Sequence, residues 1–226
     1  MSAPEPRCVL LFARADAAEA QAKGLGLRGA ALFALTRRRV ARAVASLPGV
    51  ALVVAGAPGH LRPRHVLPQR GASFGARLQA AVEDARALGY RQVVVVGLDV
   101  PRLGAADLAA AFAALDVAPA VFGPSPDGGV YLVGVSGDLD RLGPVRWLGG
   151  RVQADLRALF PGATWLAPRA DVDGAADARR AARGDRAWAS ALSTLTALAV
   201  AQWPPPRPAP SAPAPRALGI RGPPAA

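Results

Sequence analysis

The sequence predicts an α/β protein: a three-layer α/β/α sandwich around a mostly parallel sheet. Short apolar runs recur along the chain without the alternation of a half-exposed strand, most clearly "CVLLFA", "VALVVAG" and "QVVVVGLD". Segments of helical periodicity separate these runs, as crossovers between parallel strands require. Hydrophobic residues make up 52% of the 226 residues, enough for one substantial core.

The elements follow in order. "CVLLFA" is the first strand, and residues 28–47 carry a helical period that stops at Pro48-Gly49. "VALVVAG" is the second strand and "HVLPQ" a short extended piece. The next helix runs over 73–88, with Ser73 as N-cap and Gly89 as its stop. After "QVVVVGLD" comes a helix over 105–115, then two strands, "AVFGP" and "VYLVGV", around a glycine-rich turn. A helix near 152–160, a strand "TWLAP" and a last helix from about Gly174 complete the pattern. One domain is expected over residues 1–203. Residues 204–226, with proline at every second or third position, read as a disordered tail.

A net charge of +11 invites a nucleic-acid reading. Lys23 is the only lysine, however, and the arginines are scattered apart from Arg37-Arg38-Arg39. Aromatic residues make up 5%, too few for a base-stacking platform. The charge therefore fits biased codon usage better than a polynucleotide site, and an arginine-rich nucleic-acid binder is the remote alternative.

Cys8 is the only cysteine and sits in an apolar run, so it reads as a buried hydrophobe with no disulfide partner. No export signal is expected, because the first apolar run is short and ends at Arg14 and Asp16. A cytoplasmic location follows as an expectation. Residues 187–203 are uncharged with Trp at both ends, but they include serines, threonines and a glutamine, and Trp188 and Leu192 share a helical face. A helix packed on a soluble core suits them better than a membrane span.

"GLGLRG", Gly24 to Gly29, matches a dinucleotide fingerprint as a string only. It lies well past the first strand, and no acid ends the second. A flexible glycine loop is expected there. His60 and His65 lie in a Pro/Arg-rich loop without metal-ligand spacing.

The candidate chemistry sits at strand ends. In a parallel sheet ligands bind beyond the carboxyl ends, so the strand running into Asp99 aims a carboxylate at that site. Asp127 stands on the turn of "FGPSPDGGVYLVGV", where Gly128 and Gly129 let backbone approach a ligand. Two such acids can share a hard divalent cation with substrate phosphates. A capping or turn role competes for Asp99, and a plain Asp-Gly hairpin turn for Asp127.

With "LLFAR", "QRGASFGARL", "VVVVGLDVPRL", "FGPSPDGGVYLVGV", "VRWLGG" and "DVDGAAD" in this order, the chain resembles a bacterial domain-of-unknown-function family in the GT-A glycosyltransferase superfamily. That family is distantly similar to the molybdenum-cofactor and phospholactate guanylyltransferases. The resemblance implies a nucleotide-diphospho-sugar transferase-like fold and a metal-dependent glycosyl or nucleotidyl transferase acting on a nucleotide or nucleotide-sugar, with an acceptor it does not name. It implies Mg²⁺ or Mn²⁺ on Asp99, Asp127 and Asp173, with Asp99 and Asp127 as catalytic residues. Nucleotide contacts fall on Arg14, Lys23, Gln69, Gly75, Arg77, Gly128 and Gly129, and Trp147 also holds a family position. The phosphate loop departs from the pattern. "FARADAAEAQAKGL" gains Asp16 and Glu19, keeps Arg14, and carries Lys23 one place out of register. Ser73 and Leu148 replace an Asp and a Ser. A binding protein that kept the fold and lost turnover is the alternative this loop supports.

Overall fold

The computed structural model describes residues 6–26, 29–136 and 142–201, with side chains as far as residue 193. The expected tail, and residues 27–28 of the glycine string, lie outside the described residues.

Seven strands form one sheet in the order β3-β2-β1-β4-β6-β5-β7. They are β1 (Arg7–Ala13), β2 (Val50–Gly56), β3 (His65–Leu67), β4 (Gln92–Val96), β5 (Ala120–Pro124), β6 (Val130–Val135) and β7 (Thr164–Trp165). All neighbouring pairs are parallel except those made by β6, which runs antiparallel to both β4 and β5. The helices are α1 (Asp16–Ala22), α2 (Ala30–Ala45), α3 (Phe74–Ala87), α4 (Ala105–Leu115), α5 (Val152–Leu159), α6 (Ala175–Arg183) and α7 (Arg186–Ala201).

The unbroken apolar strands are explained by burial on both faces. Val9 and Leu11 of β1 join a core with α2 and α4, whereas Cys8 and Leu10 join the opposite core with α3 and α5. Every residue of β4 is buried. Burial pushes the Cys8 thiol up to about 12, which keeps it a neutral hydrophobe. A third cluster sets the fully buried Trp188 of α7 against Leu32, Val172 and Ala178. No helix among the described residues is long and apolar enough to cross a membrane.

Three local features differ from the sequence expectation or lie beyond it. The first is α1, a helix where the resemblance puts a phosphate loop; its acids are neutralised in place, Asp16 by Arg37 and Glu19 by Arg14. The second is Arg37 itself. It is fully buried within the Arg37-Arg38-Arg39 run, donating to Asp16 Oδ1 at 2.8 Å and to the carbonyls of Ala57 and Arg14. The third is the last helix, which is broken at Gly184-Asp185, where the Asp185 carboxylate accepts the amides of Ala187 and Trp188 and pairs with Arg39. The Ser73 cap is as expected, its hydroxyl accepting the Ala76 amide at 3.1 Å, a contact worth about 1 kcal/mol.

Candidate functional site at the carboxyl edge of the sheet

Four carboxylates converge on one edge of the sheet because of its topology. β4 ends at Val96 and the chain turns to place Asp99 just beyond it. Since β6 is antiparallel to β5, the turn joining them lies at the same edge and carries Asp127. The segment after β7 returns along β5, with Leu166 donating to the Phe122 carbonyl and Arg169 to that of Pro124. It then reaches the end of β4, where the Val172 amide donates to the Asp99 carbonyl at 2.8 Å. Asp171 and Asp173, two apart on this extended segment, point the same way.

Asp127, Asp171 and Asp173 each bring a carboxylate oxygen within 4.8 Å of the other two. Burial, then the charges of Asp127 and Asp173, push the Asp171 carboxyl up to about 6. The turn under Asp127 is firmly held. Its Oδ1 accepts the Gly129 amide at 2.9 Å, and the Gln153 side chain of α5 donates to the carbonyls of Ser125 and Gly129. Gly128 has φ +93°, and a Cβ there would lie 2.6 Å from the Gly150 carbonyl oxygen, so the position requires glycine.

Asp99 lies outside that group of three. Its Oδ2 faces the Lys23 ammonium at 3.4 Å, and the same ammonium donates to Asp173 Oδ1 at 2.5 Å. Burial alone would lower the Lys23 pKa, but the Asp99 charge and then the bond to Asp173 leave it raised above the ordinary lysine value.

These residues line a cavity of about 610 Å³. Arg14, Lys23, Gln69, Arg77, Asp99, Asp127, Gly129 and Asp173, all singled out from the sequence, border it. Gly128 and Gly75 do not border it and instead support it. Gly75 lets Trp147 close down on α3, since a Cβ there would lie 2.6 Å from the indole Cδ1. Gln69 donates to the Ala55 carbonyl at 2.9 Å and Arg14 to Glu19 Oε2 at 3.0 Å, so both contribute to the cavity wall through internal bonds. Phe12, Phe74 and Trp147 form an apolar wall in edge and tilted contacts, and Leu148 is exposed at the mouth. His60 is exposed, and His65 lies in β3 against Tyr90; neither approaches the cavity.

The family model for an uncharacterized protein conserved in bacteria (DUF2064) matches residues 32–149, just over half of the chain. The chain belongs to the DUF2064 family. Its matched span runs from α2 to the Trp147 loop and contains Asp99 and Asp127, whereas Lys23, Asp171 and Asp173 lie outside it. No curated protein matches the DUF2064 chain. Among solved structures it is similar to a provisionally assigned nucleotide-diphospho-sugar transferase from Desulfovibrio desulfuricans, at 25% identity and TM-score 0.66, over 75% of this chain and 83% of that one. It is also similar to the Rv0371c homologue of Mycobacterium sp. strain JC1, at 17% identity and TM-score 0.54, over 82% and 98% of the two chains. A manganese complex of Rv0371c from Mycobacterium tuberculosis aligns at 19% identity and TM-score 0.51, over 77% and 97%. The DUF2064 chain thus has the nucleotide-diphospho-sugar transferase-like fold that its motifs imply.

Asp171 is the site residue that sequence reasoning missed. The available signal was the i, i+2 pair in "DVD", which in an extended segment places both acids on one side of the backbone.

Proposed function

We propose that this DUF2064 chain is a transferase acting on a nucleotide or nucleotide-sugar with a divalent cation held by Asp127, Asp171 and Asp173. The observation that carries this reading is the group of three carboxylates within 4.8 Å of one another, on the wall of a cavity large enough for a nucleotide. The likeness to the Desulfovibrio protein supports the same substrate class. The donor set fits the group: carboxylate oxygens suit Mg²⁺ or Mn²⁺ rather than softer ions, and the charge crowded around Asp171 is relieved by a cation. Such an ion supplies charge stabilisation for a leaving phosphate or diphosphate.

The chain's own residues do the rest. Asp99 and Asp173 hold the Lys23 ammonium inside the cavity. Arg14 and Arg77 present cationic groups along its wall. The clamp from Gln153 fixes the turn that carries Asp127, so its carboxylate is positioned before substrate arrives.

Calorimetry with a panel of nucleoside diphosphates and nucleotide-sugars, in Mn²⁺ and in chelator, tests the reading. Binding is expected in Mn²⁺ and lost in chelator, and Asp127→Asn should weaken it about tenfold, the scale of a lost charged contact. Equal binding in chelator, or unchanged binding by Asp127→Asn, would remove the metal from the reading. A binding protein without turnover is the second reading, favoured by the pairing of Arg14 with Glu19, which occupies one of the cations of the phosphate region. It predicts metal-dependent binding with no consumption of any nucleotide-sugar across an acceptor panel.

A further inference from the structure

Asp107 and Arg169 form an ion pair across 62 positions of sequence, and neither residue borders the cavity. Each end of the pair has a second attachment. The Asp107 Oδ1 accepts from Arg169 Nε at 3.1 Å and Nη2 at 2.8 Å, while its Oδ2 accepts the Gly104 amide at 3.0 Å and closes the first turn of α4. Arg169 in turn is held to β5 by its own amide, which donates to the Pro124 carbonyl at 3.1 Å. Only 10% of the Asp107 side chain is exposed, against 39% for Arg169, so the acid is built into the fold and the arginine reaches in to it.

The attachments matter because of what each element carries. The loop from β4 into α4 bears Asp99 and ends at Gly104, the turn after β5 bears Asp127, and the segment that includes Arg169 runs on to Asp171 and Asp173. Arg169 is thus the junction of all three: its backbone fixes the segment to the Asp127 side, and its side chain fixes it to the Asp99 side. Without the side-chain tie, the backbone hydrogen bond from Val172 to Asp99 would be left to join the segment to that loop, and one bond leaves a segment free to turn about it. We propose that Asp107 is a positioning residue of the cation centre, acting through Arg169 to hold Asp171 and Asp173 at a set distance and angle from Asp99 and Asp127. The inference rests on the metal reading above.

The chemistry of the pair suits placement better than bulk stability. With its arginine partly in solvent, it adds little to the global folding free energy. A guanidinium that meets one carboxylate oxygen through two nitrogens is nevertheless fixed in direction, which an ammonium would not be. Asp107→Asn keeps an oxygen for the Gly104 amide and removes the charge that holds Arg169, so it separates the two jobs of the carboxylate.

Mn²⁺ titration followed by electron paramagnetic resonance, together with amide hydrogen exchange of the metal-free protein, tests the proposal. Asp107→Asn and Arg169→Met should each weaken Mn²⁺ binding about tenfold, the lower end of what an outer partner of a metal ligand contributes, and the double variant should bind no more weakly than either. Arg169→Lys, which keeps the charge but not its direction, should fall between wild type and Arg169→Met. The Val172 amide should exchange about tenfold faster in both single variants while that of Val94 in β4 keeps its rate. Melting temperatures should fall by no more than about 4 °C. Should Asp107→Asn fail to fold, Arg169→Met, at a partly exposed position, still gives both readouts. Unchanged Mn²⁺ affinity and Val172 exchange in the single variants, whatever their melting temperatures, would show an ordinary structural pair and overturn the proposal while leaving the metal reading intact. Additive losses in the double variant would show that Asp107 does not act through Arg169 and would also overturn it. Absence of Mn²⁺ binding by wild type would remove both.

Discussion

The Val172 amide donates to the Asp99 carbonyl across 2.8 Å, and this single bond joins two segments more than seventy residues apart. It draws the acids on either side of Val172 to the end of β4, where Asp127 also lies. The cost of that convergence is visible in Asp171, whose carboxyl is pushed up to about 6, first by burial and then by its neighbours' charges.

Stability should therefore fall with rising pH in the absence of metal. The folded-state pKa of Asp171 lies above the ordinary aspartate value, so its contribution is fully present below about pH 4 and is lost as pH rises through 6. Discounted for partial exposure, the effect is about 1 kcal/mol. Urea unfolding in chelator should show Asp171→Asn more stable than wild type at pH 7.5 and nearly equal to it at pH 4. A variant that is less stable at both pH values would show that the carboxylate is not strained by its neighbours.

Arg37 ties the end of β1 to the loop after β2 and to α1, and nothing replaces it. Removing one partner of a buried pair leaves the other charge uncompensated, so Arg37→Met should cost about 3 kcal/mol. Arg38, next in sequence and exposed, should tolerate the same change within about 0.5 kcal/mol. Equal denaturation midpoints for the two variants would mean that the Asp16 pair carries little of the fold.

The sequence made the strands and the acids at their ends legible because both are local signals. An unbroken apolar run ending in Asp99 needs only the rule for parallel sheets, and Ser73 needs only the capping rule. What stayed hidden depends on long-range contact. The sequence does not set Arg37 apart from Arg38 and Arg39, because nothing in its neighbours announces the distant Asp16 and Ala57. The helix α1, seven residues long, was obscured by the phosphate loop that the family pattern puts there. Lys23 meets Asp99 across 76 positions and Asp173 across 150, so no spacing rule reaches that bridge.

Gly128 offers a test of the turn that carries Asp127. Its φ of +93°, and the Gly150 carbonyl oxygen that would stand 2.6 Å from any Cβ added there, both oppose a larger residue. Gly128→Ala should cost about 1 to 3 kcal/mol in strain and also weaken Mn²⁺ binding, because the turn must shift to relieve the contact. Gly149→Ala, where a Cβ meets nothing within 4 Å, is the control and should change neither. A stable Gly128→Ala with intact Mn²⁺ affinity would show that the turn can move without disturbing the carboxylate.

Glu19 offers a test of whether the altered first loop still serves a phosphate. Its carboxylate is largely buried and accepts from Arg14 Nε at 3.0 Å, while Arg14 remains more than half exposed on the cavity wall. There, the Glu19 carboxylate cancels positive potential that Arg14 would otherwise offer an anionic ligand. Glu19→Gln keeps an oxygen for the Arg14 bond but removes the charge, so Mn²⁺-dependent binding of a nucleoside diphosphate should tighten by about two- to fivefold, the range of an exposed pair. The gain should shrink at high salt, since the cleft is open to solvent. It should also vanish in an Arg14→Met background if Arg14 is the group released. Calorimetry on the two single variants and the double variant, at low and high ionic strength, gives the coupling directly. If Glu19→Gln binds no more tightly than wild type while Arg14→Met binds equally well, Arg14 makes no contact with phosphate and the cationic side of the site rests on Lys23 and Arg77.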